Sequence, residues 1–148
     1  VNAPPKLTAG NASAALLVLD DGRYLLQLRD DKPGIWYPGH WGCFGGAADP
    51  GEDAAATLRR ELREELALEI DNPEWFTRFV FDLRAMGSTE CRRDYFVVPV
   101  TSDALAACVL GEGAAFRPFT AEVALRDLRL VPYDSFAIFL HSQKAAIG

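Results

Sequence analysis

What this sequence lacks narrows its role before any motif is read. Its three cysteines, Cys43, Cys91 and Cys108, stand far apart, form no CxxC pair and leave one over if two were joined. That pattern argues against a disulfide framework, and a reduced, cytosolic state is the simplest account. No Lys/Arg-rich run occurs, and 21 acidic against 15 basic side chains leave a net charge of −6, which argues against general binding to nucleic-acid backbone or anionic membrane. Long apolar runs are missing as well. The longest near the N-terminus is the six residues Ala14 to Leu19, well short of a secretory signal core or of the ~20 residues that span a bilayer. The chain starts at Val1 rather than Met, which fits a trimmed or incomplete beginning. It shows no repeat, linker or low-complexity tract.

What is present suits one domain: 148 residues with 49% hydrophobic content can bury a real core. A flexible polar segment over residues 1–12 is expected to precede a single domain over residues 13–148. Ala14 to Leu19 and Tyr24 to Leu28 are apolar-rich runs split by Asp20-Asp21-Gly22, the signal of a hairpin. Residues 30–40, DDKPGIWYPGH, read as an ordered loop leading to a short strand from Trp41 to Phe44. A helix is predicted from Pro50-Gly51-Glu52-Asp53 to about Leu68, stopped by Asn72-Pro73. Trp75 to Leu83 and Asp94 to Val100 read as strands, the second near an edge because of Pro99. A loop follows around Gly111 to Gly113. Phe136, Phe139 and Leu140 then recur at helical spacing in an amphipathic terminal helix over residues 134–146. Strands mixed with helices in this way predict a mixed sheet covered by helices.

The chemistry concentrates between Gly46 and Leu68, GAADPGEDAAATLRRELREELAL. On the predicted helix Leu58, Leu62 and Leu66 fall within about 80° of arc, a stripe that can pack on a sheet. Glu61, Glu64 and Glu65 occupy the adjoining arc, where like charges cost a few tenths of a kcal/mol per pair unless a cation offsets them. Gly45 and Gly46 permit close backbone approach to a ligand. Arg60 can grip a carboxylate with its planar fork. The bland alternative is a solvated helix whose interleaved Arg59, Arg60 and Arg63 simply pair with its glutamates.

This stretch resembles the signature of the Nudix hydrolase family: Gly, five residues, Glu, seven residues, then Arg-Glu-aliphatic-x-Glu-Glu-x-Gly-aliphatic. Eight positions match, Gly46, Glu52, Arg60, Glu61, Leu62, Glu64, Glu65 and Leu68, an agreement expected by chance about once in 10⁸ windows. The one departure is Ala67 in place of the usual Gly, which predicts an altered helix end. The resemblance implies an α/β (α+β) fold, an α/β/α sandwich with a curved mixed sheet between helices. It also implies hydrolysis of a nucleoside diphosphate linked to another moiety, with a nucleoside triphosphate pyrophosphatase foremost. Nucleotide sugars, ADP-ribose and dinucleoside polyphosphates stand as alternatives. Mg²⁺, for which Mn²⁺ can substitute, would be held by Glu61, Glu64 and Glu65, one of them acting in part as base, with the Gly46 carbonyl as a further ligand. Arg60 with Glu52 would hold the catalytic helix face together. Two rivals on the same fold are the isopentenyl diphosphate isomerases, to which Cys43 gives slight support, and a non-catalytic nucleotide sensor. The intact carboxylate set favours hydrolysis over both.

Outside the signature, Glu112 in LGEGAAF corresponds to a late-loop glutamate that several members swing toward the metal, so it joins the catalytic and metal-binding set. A solvated turn residue is the alternative. Arg29 at the end of the second strand is a candidate for phosphate, or for a surface pair with Asp30 or Asp31. Arg93 and Tyr95 are candidates for phosphate and base stacking, although a strand tyrosine is often simply packed. Trp36, Tyr37 and Trp41 are candidate walls of a nucleotide pocket. His40 and His141 are isolated and are not assigned as ligands. The expected partner is a small nucleotide-like diphosphate, with neither membrane nor general nucleic acid, and the sequence leaves room for a homodimer without fixing the oligomeric state.

Overall fold

The computed structural model of the protein describes residues 7–147. The first six residues, half of the segment expected to be flexible, lie outside them. Strand β1 (Ala12–Leu19) turns at Gly22 into β2 (Tyr24–Leu28), antiparallel as the Asp-Gly step predicts. After the loop come β3 (Trp41–Gly42) and β4 (Phe44–Ala47), helix α1 (Ala54–Leu66) and β5 (Glu74–Asp82). A 3₁₀ turn (Arg84–Met86) leads to β6 (Glu90–Val100), α2 (Ser102–Ala107), β7 (Ala115–Phe119), α3 (Ala121–Asp127) and α4 (Pro132–Ser142).

The sheet runs β3-β2-β1-β6-β5, with β4 added to β1 and β7 to β2. Only the β1–β6 pair is parallel. The strand predicted as one piece from Trp41 to Phe44 is divided instead. Its first part pairs with β2, its second with β1, and Cys43 marks the crossing. β1 and β2 meet only at one end, so β3 and β4 fill the wedge where they splay. This wedge positions the site.

Because side chains alternate across a strand, β1 feeds two cores. Ala15, Leu17 and Leu19 join Leu58, Leu62 and Leu66 of α1, with Phe96 and Val98. Ala14 and Leu16 join Tyr95, Ala124, Ala137 and Ile138 on the opposite face. Helices therefore cover both faces, giving the α/β/α sandwich.

Three expectations need correction. β6 lies inside the sheet, not at its edge, but the pairing with β5 ends at Val97. Pro99, whose missing N–H would disrupt an inner ladder, therefore has only β1 beside it. On α4 the phenyl rings do not form the buried stripe. Phe136 and Phe139 are exposed, while Asp134, Ala137, Ile138 and His141 face the core, His141 meeting the Tyr24 hydroxyl at 2.6 Å. Finally, Ala67 adopts the left-handed conformation itself (φ 53°, ψ 30°), its N–H reaching the Arg63 carbonyl at 3.0 Å. The helix end keeps the geometry that glycine normally supplies, at a cost of about 1 kcal/mol.

Candidate active site

Helix α1 is set in place at both ends and through its middle. Asp53 caps the N-terminus by accepting from the Ala56 N–H at 2.8 Å. Behind the cap, Arg60 gathers the loop before the helix. It donates to both oxygens of Glu52 (2.8 and 3.0 Å), to the Ala47 carbonyl (2.9 Å), to Glu61 (2.9 Å) and to Glu64 (3.3 Å). Glu52 accepts further from the Asp49 N–H and the Thr57 hydroxyl. Hydrogen bonds from Arg60 first, then from the Asp49 amide, hold the Glu52 carboxyl down at about 2. Glu52 and Arg60 thus brace the acidic face from behind.

In front of that brace lie Glu61 and Glu65. Glu65 is only 3% exposed, and its Oε2 has no hydrogen-bond partner. Burial first, then the Glu61 carboxyl within hydrogen-bonding reach, push its proton affinity far above the carboxylate range, while the Gly45 N–H pulls the other way. Glu112 adds to the repulsion from across the loop. Above the pair runs β4, so close that a Cβ on Gly46 would stand 2.5 Å from the Glu61 carboxyl carbon. Any other residue there would force the Glu61 carboxyl to shift. An unmatched buried carboxylate oxygen costs about 1–3 kcal/mol, so this arrangement calls for a proton or a cation.

A cleft of about 530 Å³ opens over these groups. It collects Gly46, Glu61 and Glu65 at one end and Glu112 beside them, together with Arg29, Trp36, Tyr37 and Arg93. The Glu112 loop is pinned on both sides, the Gly111 N–H donating to the Glu65 carbonyl (2.8 Å) and the Ala114 N–H to that of Leu28 (2.9 Å). Glu64 stays half exposed on the outer side of Arg60. Arg29 faces the cleft with its Nε on the Trp36 carbonyl at 2.8 Å. Two expected residues stand elsewhere. Tyr95 is fully buried, its ring against Phe79 and its hydroxyl donating to Asp134 at 2.6 Å, so it offers no face for stacking. Trp41 packs edge-on against Phe119, away from the cleft. The sequence reading missed Gln27, Phe81, Tyr133 and Asp134, all on the cleft wall. An aspartate two residues after Pro132 at the start of a helix, on its buried face, was the available signal for the last.

Comparison with known proteins decides the family. The NUDIX domain model matches residues 10–144. The chain belongs to the Nudix family. The nucleoside triphosphatase NudI of Salmonella newport is 31% identical over 134 residues, covering 82% of this chain and 91% of the relative. NudI of Escherichia coli is 35% identical over 94 residues, covering 62% of this chain and 65%, just under two thirds, of the relative. Among solved structures, the MutT protein of Methanosarcina mazei superposes with a TM-score of 0.75 at 20% identity, covering 97% of this chain and 99% of that one.

Nudix hydrolases generally use a divalent metal ion, and the residues here fit one. Hard divalent cations take carboxylate and carbonyl oxygens and keep several waters. Glu61 and Glu65 supply a crowded pair with a free buried oxygen, beside the close-packed Gly46 backbone. Among the described residues no three acidic or His/Cys side chains converge into a closed cage. In this Nudix hydrolase the two carboxylates lie at the wall of the cleft, where they would supply part of a coordination shell.

Proposed function

We propose that this enzyme hydrolyses nucleoside triphosphates to the monophosphate and pyrophosphate with Mg²⁺, which Mn²⁺ can replace. One observation carries the reading: the unpartnered Glu65 oxygen, crowded by Glu61 under Gly46 at one end of a cleft large enough for a nucleotide. The shared name of the two NudI relatives supports the substrate class.

In this reading Glu61, Glu65 and the Gly46 carbonyl would hold the ion together with Glu64, the most exposed of the set and the longest of Arg60's contacts. The ion supplies charge neutralisation on the phosphate chain and lowers the pKa of attacking water. Glu112, on its pinned loop, would act as the general base. Arg29 steadies the phosphate chain from the far wall, and Arg60 keeps the carboxylates in register without touching substrate. Arg93 serves the substrate at the opposite end of the cleft. The three free thiols fit a reducing, cytoplasmic setting.

Phosphorus NMR on a panel of nucleoside triphosphates, nucleotide sugars, ADP-ribose and dinucleoside polyphosphates tests this. Pyrophosphate and monophosphate from the triphosphates are expected. Inorganic phosphate alone, or turnover confined to the other classes, refutes the substrate assignment.

A further inference from the structure

At the end of the cleft away from the carboxylates, the polar groups are locked together. Asp134, 2% exposed, accepts from the Cys43 N–H at 3.0 Å, from the Tyr95 hydroxyl at 2.6 Å and from Arg93 Nη2 at 3.2 Å. Arg93 also gives its Nε to the Tyr95 oxygen at 3.0 Å. Its guanidinium carbon lies 4.9 Å from the Tyr133 ring centre and 5.4 Å from that of Tyr95. The side chain is 15% exposed and lines the cleft. Among the described residues Nε and Nη2 have acceptors and Nη1 has none, on a side chain that lines the cleft.

The backbone is shaped around this lock. A Cβ on Gly42 would stand 2.8 Å from Asp134 Oδ2. The Trp41 N–H donates to the Arg129 carbonyl and the Val131 N–H to that of Trp41, both at 2.8 Å, tying the start of α4 to β3. Around Arg93 the walls are flat and largely apolar: Trp36, Tyr37, Phe81, Leu83 and Tyr133.

A slot of aromatic walls with one fixed donor fits a planar ring carrying a hydrogen-bond acceptor. The carboxylate at this end, Asp134, is buried and already accepts three hydrogen bonds from the protein, so it is not presented to an exocyclic amine. We infer that this end of the cleft selects nucleobases by a ring carbonyl, with Arg93 as the reading group and Asp134 as its positioning residue, so that uracil, thymine and guanine are taken in preference to adenine. Guanine offers O6 and N7 side by side and the pyrimidines offer O4, whereas adenine sets an N–H₂ donor next to its N7, donor against donor. Tyr133 carries the guanidinium on its ring.

The inference rests on the triphosphatase reading, and the test separates the two. Steady-state constants are measured for UTP, dTTP, GTP and ATP, and for ribose 5-triphosphate, which carries the phosphate chain without a base. The expected wild-type result is kcat/KM about 10-fold or more in favour of the keto bases over ATP, the scale of one hydrogen bond to a charged group, expressed mainly in KM. Arg93→Gln should bring that ratio close to one by raising KM for UTP, dTTP and GTP more than for ATP. Asp134→Asn should erode the ratio similarly, with Arg93→Lys intermediate. If Asp134→Asn melts the fold, the Arg93 pair decides alone. Equal use of all four bases by the wild type, or a ratio unchanged in Arg93→Gln, overturns the base assignment while leaving hydrolysis standing. Failure to cleave any triphosphate, the baseless one included, instead overturns the triphosphatase reading.

Discussion

The two ends of the cleft lie two residues apart on the same piece of chain and are built on opposite principles. The Cys43 N–H serves Asp134, and the Gly45 N–H serves Glu65. At the Asp134 end every carboxylate oxygen has a donor, and the network is rigid. At the Glu65 end a buried oxygen has none, and like charges are pressed together. A satisfied network holds a shape for recognition, whereas an unsatisfied one stores a demand that a ligand must meet. Arg60 shows how far the acidic end is compensated from behind: it neutralises Glu52 and touches Glu61 and Glu64, yet leaves Glu65 uncovered.

Removing the demand should have the largest effect. Glu65→Gln is expected to lower turnover by about 10²-fold or more, the scale of losing a metal ligand or base, while raising the melting temperature of the metal-free protein. The sign follows from the raised proton affinity of folded Glu65. Its contribution to stability is fully present below the unfolded carboxylate pKa and is lost as pH rises through the higher folded value. Metal-free wild type should therefore melt progressively lower between about pH 5 and pH 9, and Glu65→Gln should flatten that slope. Melting curves across this range check both statements.

Gly46→Ala tests the same end from above. The added Cβ would meet the Glu61 carboxyl, so turnover should fall by at least an order of magnitude, since displacements of about 1 Å at a catalytic group cost that much or more. A fully active variant would show that Glu61 can move aside without consequence.

Arg60→Lys keeps the charge but loses the fork that spans Glu52, Ala47 and Glu61. Turnover should drop several-fold with the Michaelis constant nearly unchanged. A large rise in that constant at normal turnover would make Arg60 a substrate contact.

The smallest effect is expected at the helix end. Ala67→Gly relieves a left-handed alanine and should stabilise the protein by at most about 1 kcal/mol without touching activity. Denaturant unfolding measures it.

The two ends also differed in how much of them the sequence disclosed. The acidic end was legible because its groups sit within one helix turn of each other, and helical periodicity alone places Glu61, Glu64 and Glu65 on one arc. The brace by Arg60 and Glu52 follows from the same short segment. Arg93, Tyr95, Cys43 and Asp134 come from three distant segments, and only the sheet register and the crossing at Cys43 bring them together. Tyr95 was expected at the cleft because its neighbour Arg93 is there. They do lie on one face of β6, but Asp134 draws the tyrosine hydroxyl inward. The phenyl spacing on α4 misled in the same way, since the periodicity was helical but the buried stripe was set by Asp134 and His141, whose polar atoms have partners in the core. Short elements such as α2, β7 and α3 went unread because six, five and seven residues carry too little pattern to announce themselves.

The central claim is that the unpartnered Glu65 oxygen beside Glu61 is the place where a divalent cation replaces a proton. Calorimetric titration of Mn²⁺ into the metal-free enzyme near pH 7.5, repeated in two buffers of different ionisation enthalpy, measures it directly. The account predicts binding accompanied by proton release in the wild type, with both the release and most of the affinity lost in Glu65→Gln. Binding without proton release, and of equal strength in the two proteins, would contradict it.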